Sequence, residues 1–231
     1  MTQGMARLRT LLERLQAQAS APSTAGELEV EDRRQAREAR RQAIARLPLP
    51  LGDKMLRALE RDELDATTAL IAARRFMAPT ARDKHADPQA KPSEPRPFLL
   101  LHGATGTGKS VGAAAAAIAR PGSLWVYPRD LAEAYMSRYA EALARRHALE
   151  QAPLLVIDGL GAESAPVAHM LDALLGLLPV RLRRRTIITT QLSQTAYAAR
   201  YKHAPLQHLL EQSAYHVSLS RALVPPAEGA L

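Results

Sequence analysis

Residues 103–110 read GATGTGKS: Gly103, Ala104, Thr105, Gly106, Thr107, Gly108, Lys109 and Ser110. This is the G-x-x-x-x-G-K-[ST] pattern of a phosphate-binding loop, and each residue type has a mechanical task. The glycines let backbone N–H groups turn inward around phosphate oxygens with no Cβ in the way. Lys109 offers a point charge to β- and γ-phosphates, and the Ser110 hydroxyl can ligate Mg²⁺. A helix opening there aims its positive end at the anion. The loop follows the apolar run FLLL (Phe98–Leu101) and opens an alanine-rich stretch, the strand-to-helix context that the pattern demands.

Two later stretches could complete the chemistry. In LLVIDGLGAE (Leu154–Glu163), Asp158 ends an apolar run, where a carboxylate can hold Mg²⁺ through water. Glu163 could orient an attacking water if the chain turns back at Gly161. Its plainer role is to start the next helix with a favourable charge. In TIITTQLS, Gln191, with Thr190 behind it, is placed to orient the water, although Thr-Gln after a strand is also an ordinary helix-start turn.

The elements that must position these groups follow from periodicity. FLLL, LWVY (Leu124–Tyr127), LLVI (Leu154–Ile157), TIITT (Thr186–Thr190) and HVSLS (His216–Ser220) read as five strands. Helical stretches at Lys109–Arg120, Asp130–Glu150, Pro166–Leu178 and Gln194–Gln212 alternate with them. That rhythm predicts an α/β fold, a parallel five-stranded sheet flanked by helices on both faces.

Ahead of it, residues 79–97 hold five prolines and no large apolar side chain, and read as an exposed linker. Residues 1–78 are expected to be a helical N-terminal region for docking a partner or DNA, with residues 98–231 as the nucleotide-binding domain. Met5, Leu8, Leu12, Leu15 and Ala19 form one helical stripe suited to a protein groove or to the chain's own core. A polar break runs from Ser20 to Glu27. A second helix, Asp32–Leu47, carries six arginines, and Asp53–Met77 reads as helical again.

The 231 residues contain 31 Lys and Arg against 23 Asp and Glu, a net charge of +8 that favours polyanionic partners. Arg33, Arg34, Arg37, Arg40 and Arg41 are the first candidates for phosphate contacts, with Arg181 to Arg185 second. Aromatics make up 4%, too few to line a long base-stacking groove. The absence of Cys excludes disulfides, thiolate metal sites and cysteine nucleophiles. Seven histidines show no zinc-like spacing, and no G-x-S-x-G turn occurs. The N-terminus lacks the apolar stretch of a signal peptide, and no apolar run approaches the roughly 20 residues of a membrane span. A cytoplasmic protein is expected.

HGATGTGKS, WVYPRDLAEAY, LLVIDGLGAE and RRRTIITTQLS, in this order and spacing, resemble the ATPase domain of the DnaC/IstB-type AAA+ proteins, the bacterial helicase loaders and transposition helpers. The likeness covers residues 98 to about 223 well and the first third loosely. It implies an ASCE-type sheet in which the strand carrying the polar sensor lies between the Walker B and phosphate-loop strands. It also implies ATP and Mg²⁺ as ligands, self-assembly around single-stranded DNA, and an N-terminal region that grips a replicative helicase or a transposase.

Three departures bear on turnover. The position after the Walker B aspartate, usually a second acid in the family, is Gly159. The sensor position, usually Asn, is Gln191. The helix before the last strand has no arginine finger, and His208 stands near its place. The resemblance therefore implies an ATP-binding loader with slow hydrolysis. A transposition helper, or a nucleotide-binding adaptor that hydrolyses little, are the other readings.

Overall fold

The five apolar runs pair as one parallel sheet. Its strands are β1 (Phe98–Gly103), β2 (Leu124–Val126), β3 (Leu154–Leu160), β4 (Arg185–Thr190) and β5 (Ala214–Leu219), side by side in the order β2-β3-β4-β1-β5. The computed structural model describes residues 24–48, 53–62, 64–78, 96–163 and 166–220. β4 thus lies between β3 and the phosphate-loop strand, as the resemblance implies. Register runs from Phe98 beside Thr186 to His102 beside Thr190, which sets the C-terminal ends of β1 and β4 level.

Alternate residues of these strands feed two cores, the consequence of a period of two in a sheet buried on both faces. Phe98, Leu100, Leu155, Ile157 and Ile188 face one side. They pack there with α5 (Pro128–Met136), α6 (Ala140–Gln151), α7 (Val167–Leu177), α8 (Gln194–Arg200) and α9 (Ala204–Ser213). Leu99, Leu101, Leu154, Val156 and Ile187 face the other side. Their partners are α3 (Thr68–Met77) and α4 (Lys109–Ile118).

Small residues decide how α4 is covered. A Cβ built on Gly112 would lie 2.8 Å from the backbone carbonyl of Ala69, so α3 touches α4 backbone to backbone. Gly112→Ala is expected to lower stability by about 1–3 kcal/mol, because backbone cannot rotate aside as a side chain can. Urea unfolding measures this, and an unchanged midpoint would contradict the seating of α3.

Several expected elements are divided. Asp53–Met77 forms α2 (Asp53–Arg61) and α3, parted by Asp62 at φ 59° and by the Thr67 N-cap, whose Oγ1 accepts from Leu70 N at 3.2 Å. Asp130–Glu150 is split into α5 and α6. There Ser137 Oγ takes the Tyr139 amide (3.3 Å), a donor that a continuous helix would use along its own backbone. Gln194–Gln212 breaks into α8 and α9 because Pro205 is tolerated only in a first helical turn.

The packing also divides the chain elsewhere than at the proline-rich segment, with compact units at Met1–Gln42 and Ala43–Leu231. α3 belongs to the second unit: Ala69, Leu70 and Ala73 are fully buried on it. In the first unit α1 begins at Thr24, which shortens the expected polar break, and it ends at Ala45 in the second. The stripe from Met5 to Ala19 and most of the expected linker lie outside the described residues.

Candidate nucleotide site

β1 delivers the chain into the phosphate loop, and α4 leaves it. Gly106 and Gly108 hold φ of 85° and 82°, the left-handed region that glycine enters without strain. Gly103, at φ 148°, also passes so close to β5 that a Cβ would lie 2.4 Å from the Leu219 carbonyl oxygen. The loop's shape therefore depends on residues without side chains at these positions.

Lys109 is buried, and its ammonium donates to the carbonyls of Gly103 (2.6 Å) and Ala104 (2.7 Å) and to Thr107 Oγ1 (3.2 Å). Burial lowers its pKa, and the nearby Asp158 carboxylate works in the opposite direction. Thr107 Oγ1 in turn donates to the Ala104 carbonyl at 2.9 Å, tying the loop to itself.

Asp158 is reached from two elements. Ser110 Oγ donates to its Oδ1 at 2.8 Å, and Thr189 Oγ1 donates to the same oxygen at 2.5 Å. Thr189 also accepts from the Gly159 amide at 2.9 Å. One hydroxyl on β4 thus holds both the carboxylate and the backbone that follows it. The motif reading missed Thr189, whose signal is only its place one residue before Thr190 on a strand adjacent to β3.

These groups line a cleft of about 260 Å³ with Thr105, Gly106, Gly108, Lys109, Ser110, Asp158, Gly159, Thr189, Thr190 and Gln191 on its walls. Gln191 is exposed at its rim, just past the end of β4. Among the described residues no group of three or more His, Cys, Asp or Glu could hold a metal. A hydroxyl beside a single carboxylate instead suits Mg²⁺, which retains waters and draws further ligands from phosphate oxygens. Ser110 and Asp158 would hold the ion, which when bound neutralises charge on the phosphates. The loop and its lysine fit a nucleoside triphosphate.

Glu163 does not join this site. Its carboxylate is fully buried and accepts from Gly161 N (2.5 Å), Tyr201 Oη (2.5 Å) and Arg200, whose Nε and Nη2 lie at 3.2 and 3.0 Å. The Tyr201 phenol is held neutral by burial and by this carboxylate. The expectation that Glu163 turns back toward the γ-phosphate is therefore corrected: its lone pairs are taken by α8 and by its own loop. Gly159 sits at φ 85°, within an irregularity of the β3–β4 register between Ile157 and Leu160. The backbone after Asp158 thus adopts a conformation suited to glycine and presents no side chain to the cleft.

Two arginines of the run before β4, Arg181 and Arg185, are engaged with backbone carbonyls, while Arg183 is exposed. Arg181 is fully buried and donates to the carbonyls of Leu149 (2.7 Å), Glu150 (3.2 Å), Ala152 (3.0 Å) and Arg185 (2.6 Å), and to Thr186 Oγ1 (2.8 Å). Burial pulls its pKa down to about 10, which leaves it charged at neutral pH. Arg185 donates to the carbonyls of Met77 and Ala78 at the C-terminal end of α3. Arg33, Arg34, Arg37 and Arg41 are exposed along α1, and Arg40 is partly buried.

No protein-family model matches the chain, and no curated protein does. Among solved structures, DnaI matches with a TM-score of 0.53 and 23% identity, over 74% of this chain and 96% of that one. The fold is that of DnaI. The two share a parallel five-stranded sheet flanked by helices, and the strand order here is the one that the sequence resemblance implies. A DnaC helicase loader matches with a TM-score of 0.43 and 18% identity, over 74% of this chain and 93% of that one. AMPPCP-bound DnaA from Aquifex aeolicus matches at 0.39 and 16%, over 53% of this chain and 40% of that one. The DnaI likeness extends over nearly the whole of that chain.

Proposed function

We propose that this chain binds ATP with Mg²⁺ and uses the bound nucleotide as an assembly signal in DNA replication, in the manner of a DnaC-type helicase loader. One observation carries the reading: a complete phosphate loop faces an Asp158 that is followed by left-handed Gly159, while Glu163 is clamped by Arg200 and Tyr201. Binding groups are present, and the acid that would orient water is missing. Turnover in the isolated protein is then slow, since losing such a positioned group typically lowers rates by about 10²–10⁴. Gln191, exposed at the rim, is the polar side chain that this reading assigns to the γ-phosphate.

The rest of the reading rests on charge and on likeness. The arginines of α1 are suited to single-stranded DNA, which they would hold by phosphate contacts that weaken steeply with salt. The N-terminal region would dock the helicase, and copies of the chain would assemble in the cytoplasm around the strand. Among the described residues no helix is long and apolar enough to cross a membrane.

The test is single-turnover hydrolysis with saturating protein, alone, with single-stranded DNA at low and moderate salt, and with a hexameric helicase. The expected outcome is firm ATP binding with negligible cleavage until a partner is added. Brisk turnover by the chain alone would overturn the slow-switch reading. DNA affinity indifferent to salt would remove the arginine helix from it.

A further inference from the structure

Directly behind the phosphate loop lies a buried polar cluster that the nucleotide reading does not use. His102, the residue before Gly103, is 1% exposed. Its Nδ1 is 3.3 Å from the Leu192 carbonyl, and its Nε2 is 3.0 Å from Nδ1 of His216 on β5. The two rings are nearly parallel, 14° apart with centroids at 5.3 Å, and Tyr197 of α8 meets His102 edge-on at 5.8 Å.

The carbonyl dictates the tautomer. An oxygen of this kind only accepts, so His102 carries its proton on Nδ1, which leaves its Nε2 facing Nδ1 of His216. Burial lowers the pKa of both rings, against the opposing pull of the Leu192 carbonyl on His102 and the Leu210 carbonyl on His216. A single imidazole thereby joins the end of β1, the middle of β5 and the turn that follows β4.

That turn is the one that carries Gln191. It is pinned on its other sides as well. Leu192 N donates to Thr190 Oγ1 at 3.1 Å, and the Leu192 side chain packs so tightly on Gly161 that a Cβ there would lie 2.6 Å from it. Beyond the β1–β4 ladder, which ends with His102 beside Thr190, the His102 side chain is a direct tie from the residue before Gly103 to the turn itself.

We propose that His102, backed by His216, is a positioning residue that sets Gln191 against the phosphate loop and so sets how well this chain distinguishes ATP from ADP. The inference rests on the nucleotide reading above. A hydrogen bond to the γ-phosphate favours ATP by about tenfold or more when aligned, and ADP has no group to receive it. Displacing the turn by about an ångström is enough to lose such alignment.

The two amide replacements of histidine separate the contacts. In His102→Asn the amide nitrogen stands about where Nδ1 stood and keeps the bond to Leu192. In His102→Gln it stands about where Nε2 stood and loses that bond. Titration with fluorescent ATP and ADP analogues gives the ratio of their dissociation constants for each variant.

The expected result is a ratio about tenfold poorer in His102→Gln, with ADP affinity within about twofold of wild type, and near-normal discrimination in His102→Asn. Gln191→Ala should lose discrimination to the same degree, and adding His102→Gln to it should cause no further loss. Should His102→Gln not fold, His216→Gln, which removes the ring nitrogen that faces His102 Nε2, serves the same comparison. An unchanged ratio in the folded variant, or equal loss of both nucleotides, would overturn the proposal. A wild-type chain that binds neither nucleotide would fail the nucleotide reading itself, and this inference with it.

Discussion

Lys109→Ala is expected to weaken ATP binding by about 10²-fold. The ammonium sits within the loop on the carbonyls of Gly103 and Ala104, in the position from which it reaches phosphates drawn into the same cradle. One hydrogen bond from a charged donor contributes about 1.5–3 kcal/mol, and each 1.4 kcal/mol is tenfold in affinity. Burial already disfavours the charged lysine in the protein alone, and a polyphosphate beside it would reverse that penalty. The substitution removes a long side chain from the loop, so circular dichroism must show the fold intact. Equal affinities for wild type and mutant would sink the assignment of the loop.

Arg181→Met is expected to destabilise the fold by about 3–5 kcal/mol, one of the larger effects a single substitution can have. Methionine keeps much of the aliphatic volume but has no donor. The carbonyls of Leu149, Glu150 and Ala152, at and just past the end of α6, would then lose the guanidinium that satisfies them. Their own helix cannot replace it, because the last carbonyls of a helix have no intrahelical partner. Thr186 on β4 would lose its partner as well, so the tie between α6 and the sheet goes with the side chain. Lysine would not restore it: an ammonium cannot span these acceptors as the planar five-donor guanidinium does. The control is Arg183→Met two residues on, at an exposed position, with an expected change within about 0.5 kcal/mol. Urea unfolding of both variants is the measurement, and equal midpoints would show that Arg181 is not the cap described.

The sequence by itself determined the phosphate loop, the acid at the end of β3 and the class of sheet. Each is a local signal. GATGTGKS is contiguous, so its glycines and lysine reach one anion whatever the rest of the chain does. The apolar runs, continuous rather than alternating, require burial on both faces, and helices between them require parallel strands. Only the tertiary structure decided which distant groups meet. Thr189 holds Asp158 because β4 is laid beside β3, and nothing in TIITT distinguishes its threonines until that neighbour is known. Glu163 was diverted from the cleft by Arg200 and Tyr201, which lie on and just after α8, and spacing along the chain cannot show which acid an arginine will take. Arg181 reads as one of a run of surface charges until the fold closes over it and supplies five acceptors in place of water. The same physics accounts for all three: a polar side chain removed from water must be satisfied by whatever the fold brings within hydrogen-bonding distance, and that partner is chosen by topology.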